Sequence, residues 1–431
     1  MTIADIAAQA KAASILLAAV KTDVKNKALA EIAKALKANS AEIIKANLAD
    51  LAKAKKNNLA APLLKRLKFD QPKIDEACQG IASLIKLDDP VGQTLKATEL
   101  SVGLELYKVS CPIGVIGIIF ESRPDALVQI STLCLKSGNA AMLKGGSEAE
   151  KTNSILAKII AHATENSAIP TGWIQLMHTR QDVSAMLKLD RSIDLIIPRG
   201  SNEFVKYIMD NTNIPVLGHA DGICHVYVDD SADIDMAVSI ATDSKCQYVA
   251  VCNAAETLLV HKKIAAAFLP KLKASLEKFN VELIGCAKTA KIIDVTPATE
   301  TDWKTEYLDY KLSIKIVESL DQAIEHINTF GSGHTDAIVT TNIKNAEKFM
   351  NLVDAGDVFF NCSTRFSDGF RFGFGAEVGI STNKIHARGP VGLDGLLIYK
   401  YKLIGNGHTV TDFTNGKYKY THKKIEKDFN L

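Results

Sequence analysis

The run from Gln247 to His261, QYVAVCNAAETLLVH, places the thiol of Cys252 between a small apolar segment and a stretch, Asn253 to Thr257, that leads into a buried strand. A thiolate is a nucleophile suited to acyl transfer, but a free thiol titrates near ~8.5 and needs N–H donors or a cation to ionise at neutral pH. A cysteine is also a small core hydrophobe, and this chain has eight of them. Two further stretches have the chemistry of anion sites. Lys144, Gly145, Gly146 and Ser147 set a cation beside backbone N–H groups where a strand turns into a helix, and Arg199, Gly200 and Ser201 repeat the arrangement. The glycines can equally only make the turns and the serines only cap the helices, but two such junctions in succession favour a dinucleotide. Downstream, Asn361 to Gly375 (NCSTRFSDGFRFGFG) carries Arg365 and Arg371 among glycines and aromatics, a loop suited to bidentate binding of carboxylate or phosphate, or to a plain surface turn. His219 in LGHAD and His334 in GSGHTD stand alone beside glycines, as structural histidines commonly do.

The usual nucleotide fingerprints are missing. The GxG occurrences at Gly331, Gly373 and Gly405 do not continue to a third glycine, and no glycine-rich loop ends in Gly-Lys followed by Ser or Thr. The cysteines are scattered without a CxxC pair or zinc-type Cys/His spacing, so free thiols, a reducing compartment and no metal are expected.

The elements that must position these residues follow from periodicity. With 431 residues and 47% hydrophobic composition the chain is long enough for two domains with substantial cores. Lys plus Arg number 51 against 49 Asp plus Glu, so no nucleic-acid footprint is expected. No apolar run reaches the ~18 residues of a membrane span. Ser14 to Val20 is followed by Lys21, Lys25 and Lys27 and continues helically into Leu29, Ile32 and Leu36, which reads as an amphipathic helix of a cytoplasmic protein.

Residues 2 to about 85 have three-and-four spacing of Ala and Leu, with solvated lysine faces and a cap expected at Asn39 ahead of Glu42. Residues 94 to 110 alternate around Gly103 as a hairpin. From Ile113 short apolar strands alternate with helices, the signature of a parallel sheet with crossover helices, and Ser147 is the expected cap of one of them. The alternation restarts after Asp235, which puts a domain boundary near residue 226.

Taken together, CPIGVIGIIFESRPDA from Cys111, LKSGNAAMLKGGSEA from Leu135, LIIPRGSNEF from Leu195 and VCNAAETLLVH ending at His261 resemble the aldehyde dehydrogenase superfamily. AIEHINTFGSGHTDAI from Ala323 and the long run from Val358 to Leu393 are similar to one branch of it, the gamma-glutamyl phosphate reductase family. The resemblance implies an α/β fold with a Rossmann-type cofactor domain over 1–226, a catalytic domain over 227–362, and a segment 363–431 that returns to the cofactor domain. It makes the hairpin an oligomerisation arm of a dimer or tetramer.

It implies that Cys252 is the nucleophile, that Lys144, Gly146 and Ser147 hold the adenosine ribose, and that Arg199, Gly200 and Ser201 form the pyrophosphate turn. Glu306 would grip the nicotinamide ribose, Ser122 or Arg123 would stand near the oxyanion hole, and Ser363, Thr364, Arg365 and His219 would face the substrate. Ser147 stands where NAD-preferring relatives carry an acidic residue, leaving Lys144 to meet a 2′-phosphate, so NADPH is the expected cofactor. Near Gly218 and His219 no carboxylate replaces the glutamate that activates a deacylating water in such dehydrogenases. That fits reduction of an acyl phosphate, L-glutamyl 5-phosphate, made by a separate glutamate kinase. The alternatives are a generic NAD(P)-dependent aldehyde dehydrogenase and a non-catalytic dinucleotide-binding protein.

Overall fold

The computed structural model describes residues 2–178, 180–219 and 221–430. Chain contacts divide it into two compact units, Met1–Gly200 with Tyr207–Val216 and Gly392–Leu431, and Ser201–Lys206 with Leu217–Val391. The divisions therefore fall at 200/201, 206/207, 216/217 and 391/392. The strand Cys224–Val228 and the loop after residue 363 lie in the same contact unit as Cys252.

The first unit opens with five helices, Ile3–Leu17, Thr22–Ala38, Ser40–Lys56, Ala61–Leu67 and Gln71–Lys86. Thr2 and Asp5 cap the first reciprocally. The expected cap at Asn39 is absent: its side-chain amide turns back to the carbonyl of Ala35 at 2.7 Å and so closes the preceding helix. The lysine faces are not all solvated either. Lys25 is buried and meets Asp89 at 2.6 Å, which explains how a charge survives there.

Strands Val115–Phe120, Ala140–Gly145, Ile174–Met177 and Leu195–Arg199 form a parallel sheet. Its order is Ile174–Met177, Ala140–Gly145, Val115–Phe120, Leu195–Arg199, so the chain reverses direction across the sheet beside Val115–Phe120. Ligands of open parallel sheets bind at such a reversal, outside the carboxyl ends of the strands. Ser147 does not cap the helix Glu150–Thr164; a short 3₁₀ turn, Ser147–Ala149, intervenes. Asp50, from the helical layer, takes the capping role, accepting from the Thr152 N–H at 2.8 Å and the Thr152 hydroxyl at 2.7 Å.

The hairpin is present as Thr94–Ser101 and Leu104–Pro112, with Gly103 at φ +72° in its turn. The strand Leu397–Ile404 extends it on one side and Lys423–Ile425 on the other. The Lys-rich tail thus completes a four-stranded antiparallel sheet. Lys427 pairs with Glu105 at 2.8 Å, and the Phe429 ring packs edge-on against Tyr107.

The second unit is built on seven parallel strands in the order Thr296–Pro297, Glu282–Gly285, Lys311–Val317, Ala255–His261, Cys224–Val228, Thr335–Val339, Asp357–Phe360. Ala255–His261, Cys224–Val228 and Thr335–Val339 are buried along their whole length, as strands covered on both faces must be. Helices Ile234–Cys246 and Lys262–Leu276 pack into one cluster with these strands, and Leu320–Phe330 and Ile343–Leu352 into another. These three strands are neighbours, so the turns that precede them, around residues 222, 252 and 334, meet at one edge of the sheet. Among the described residues no helix is long and apolar enough to cross a membrane.

Candidate active site

Cys252 lies in a tight turn between the helix Ile234–Cys246 and the strand Ala255–His261, closed by the Ala254 N–H to the Val251 carbonyl at 3.1 Å. Its thiol is half-buried. Three contacts fix the turn. The Cys224 thiol donates to the Cys252 carbonyl at 3.1 Å; burial pushes that thiol well up, so it stays protonated as a donor. The Asn253 amide donates to the Ser367 carbonyl, and the Thr364 hydroxyl to the Asn253 carbonyl, both at 2.7 Å. Gly222 lies so close that a Cβ there would come 2.2 Å from the Cys252 carbonyl oxygen and 2.5 Å from its Cα. Only glycine permits that approach.

The loop expected to face the substrate is therefore also the support of the nucleophile turn. Ser363 and Thr364 are buried with their hydroxyls bound inside the protein, Ser363 accepting from Ser244 at 3.2 Å. Arg365 is buried too. Its Nε donates to Gln247 at 3.0 Å, and although burial lowers its pKa, the guanidinium remains a cation within electrostatic reach of Cys252. This is the positive charge that an ionised thiol or an anionic substrate calls for.

Two imidazoles complete the surroundings. The rings of His219 and His334 meet edge to face at 4.9 Å, and a nitrogen of each lies with the Cys252 Sγ inside a triangle no wider than 4.8 Å. His219 Nδ1 donates to the Ile380 carbonyl at 2.9 Å, and His334 is fully buried with Nδ1 at 2.8 Å from the Thr335 hydroxyl. Glu306 belongs to the same neighbourhood. It accepts from the Asn202 amide at 2.6 Å, and burial raises its carboxyl above the ordinary range while Asn202, His219 and the Gly222 N–H act against that rise.

In the first unit, the turns after Val115–Phe120 and Ala140–Gly145 interlock. Ser122 sits at φ +45°, and both its N–H and its hydroxyl donate to the Glu148 carboxylate, at 2.6 and 2.9 Å. Arg123 opens the helix Pro124–Lys136 directly behind it. Glu148 folds across Gly146, whose Cβ would lie 2.0 Å from that carboxylate. Lys144 is buried with its ammonium on the Gly145 carbonyl, whereas Ser147 is exposed. The Arg199 carbonyl accepts from the Glu121 N–H at 2.9 Å, which ties the two strand ends at the sheet reversal. Ser201 caps the helix Asn202–Asp210, accepting from the Phe204 N–H at 3.4 Å, as its sequence position implied.

Gly222, Cys224 and Asn253 have no role assigned from the sequence, and Glu148 enters there only as an acidic residue near the ribose site. Gly222 had a visible signal, a glycine between a short polar stretch and a buried strand, which marks close backbone approach. Cys224 had none, because its partner lies in the turn before the neighbouring strand.

The Aldehyde dehydrogenase family model matches residues 1–310 and 285–381. The chain is 67% identical to the gamma-glutamyl phosphate reductase of Acetivibrio thermocellus over 431 residues, covering 100% of both chains. It is 65% identical to the enzyme of that name from Pelotomaculum thermopropionicum, over 100% of this chain and 99% of that one. The crystal structure of gamma-glutamyl phosphate reductase from Thermotoga maritima superposes with a TM-score of 0.92 at 43% identity, over 94% of this chain and 99% of the other.

Proposed function

The chain belongs to the aldehyde dehydrogenase family, in its gamma-glutamyl phosphate reductase branch, and on that premise we propose that it reduces L-glutamyl 5-phosphate to L-glutamate 5-semialdehyde through a thioester on Cys252. The observation that carries this reading is the Cys252 turn, a half-buried thiol held by Cys224, Thr364 and the close approach of Gly222 beside the buried cation of Arg365. The thiolate attacks the acyl carbon, the bond to the phosphate oxygen breaks, and inorganic phosphate leaves. Arg365 stabilises the thiolate before attack and the departing anion after it. A nicotinamide dinucleotide, when bound, supplies the hydride that reduces the thioester carbonyl. Collapse of the resulting thiohemiacetal breaks the C–S bond, frees the aldehyde and returns the thiolate. No water needs activating, and a base placed to do so would hydrolyse the thioester.

The turns at the reversal of the four-stranded parallel sheet suit a dinucleotide, and the Ser122 donors already hold a carboxylate, which is the chemistry of an anion-accepting turn. In the first unit Lys144, Gly146, Ser147, Arg199 and Gly200 would hold a nucleotide's ribose and phosphates; in the second, Ser201 would meet phosphate oxygens and Glu306 ribose hydroxyls. The cofactor is NADPH. Supporting that choice, Ser147 offers no carboxylate to a ribose diol, and the Glu148 carboxylate is turned away to Ser122. His219 and Arg365 face the substrate. A separate kinase supplies the acyl phosphate in the cytoplasm. The protein assembles as a homo-oligomer through the antiparallel sheet, whose edge strand Leu397–Ile404 leaves Tyr401 and Leu403 exposed.

Cys252→Ala tests the nucleophile. It is expected to abolish phosphate-dependent NADPH formation from the semialdehyde while NADP binding persists; retained turnover would sink the assignment.

A further inference from the structure

We propose that the Cys252 thiolate and the Nε2 atoms of His219 and His334 form a three-ligand site for a thiophilic divalent cation, Zn2+, which blocks the nucleophile reversibly. One donor atom from each of the three residues lies within 4.8 Å of the others. In a tetrahedral zinc site, with Zn–S near 2.3 Å and Zn–N near 2.0–2.1 Å, the donors of this set stand roughly 3.3–3.6 Å apart. Metal binding would close the triangle by about 1 Å.

The hydrogen bonds around the two imidazoles favour this use. His219 Nδ1 faces a backbone carbonyl, that of Ile380 at 2.9 Å, and a carbonyl can only accept, so Nδ1 carries a proton and the neutral ring would ligate a metal through Nε2. A ring N–H donated to a carbonyl is how metal-bound histidines are commonly oriented. His334 has a comparable support. Its Nδ1 lies 2.8 Å from the Thr335 hydroxyl, which in turn faces the Asp357 carboxylate at 3.5 Å. When that hydroxyl donates to Asp357 it accepts from Nδ1, and the neutral ring would then ligate through Nε2. Most telling is that His334 Nε2 is buried with no hydrogen-bond partner among the described residues. An orphaned buried ring nitrogen is costly unless something else can occupy it.

A thiolate with two neutral imidazoles is a donor set that zinc favours, and three protein ligands leave a fourth position to water. On binding, the thiol proton passes to solvent and an Sγ–Zn bond takes its place; no electron is transferred. The lone pair that would attack the acyl carbon is then committed to the metal. Binding stands on the geometry alone, whereas the inhibitory consequence rests on Cys252 being the nucleophile.

The test uses Co2+ as a visible stand-in for Zn2+ on the purified full chain. One Co2+ per chain should bind with a thiolate-to-cobalt charge-transfer absorption, and Zn2+ should displace it. Cys252→Ser should abolish the band, His219→Asn and His334→Asn should each weaken Co2+ affinity by at least about 10-fold, and Cys286→Ser should leave it unchanged. Zn2+ should inhibit the wild type over the concentrations that displace Co2+, and a chelator should restore activity. His219 is only half-buried, so His219→Asn keeps the test decisive if His334→Asn fails to fold. Absence of a one-to-one band in the wild type, or an affinity unchanged in His219→Asn, would overturn the site. A normal band alongside turnover retained in Cys252→Ser would instead contradict the nucleophile assignment and leave the metal site standing.

Discussion

Gly222 shows how much of the nucleophile's position depends on a missing side chain. A Cβ at that residue would fall 2.2–2.6 Å from the backbone and Cβ of Cys252, so either the turn carrying the thiol or the lead into the strand Cys224–Val228 has to move. A displacement of about 1 Å at a reacting group costs on the order of 10²-fold in rate. Gly222→Ala is therefore expected to lower kcat by about that factor, with alkylation of Cys252 slowed in parallel. Gly80 is the control: nothing lies within 4 Å of its would-be Cβ, and it sits inside the helix Gln71–Lys86. Gly80→Ala should leave the rate alone and raise stability by about 0.5–1 kcal/mol. Equal rates for the two variants would show that the close approach at Gly222 does not position the thiol.

Among the elements, the strands that carry the site were legible because each is a short apolar run between turn residues, and buried parallel strands need little else. Caps were less so. Asn39 and Ser147 have the right residue type, yet the first bonds backwards to Ala35, and the helix beside the second is capped by Asp50 from a distant part of the chain. Local pattern cannot see a donor's remote partner. The same limit hid the histidines: His219 and His334 look alike and isolated in sequence, and only the strand order brings them to Cys252.

The helix Leu320–Phe330 adds a third case, His326, buried against Trp303, His225 and Phe330. Burial foremost, with His225 and Lys315 adding to it, holds its pKa down to about 3 from the usual 6.5. Between those values the unfolded chain binds the proton and the folded chain does not, so stability is lost as pH falls below 6.5. His326→Gln should remove roughly 2 kcal/mol of the stability difference between pH 7 and pH 5. Denaturant unfolding at the two pH values measures it, and an unchanged difference would mean that His326 is not held neutral.

At the scale of the whole molecule, two α/β units divide the chemistry. One carries a parallel sheet whose reversal suits a dinucleotide, and the other anchors a thiol beside a buried arginine. Neither feature alone separates a reductase of acyl phosphates from a dehydrogenase that hydrolyses its thioester. The discriminating chemistry is the acceptor that releases the acyl group from Cys252, phosphate in one case and water in the other. The measurement that bears most directly on this is the rate of NADPH formation from glutamate 5-semialdehyde and NADP+, with and without inorganic phosphate. The rate is expected to rise from near zero with phosphate and to give an acyl phosphate product; oxidation to the free acid at the same rate without phosphate would contradict thioester release to phosphate.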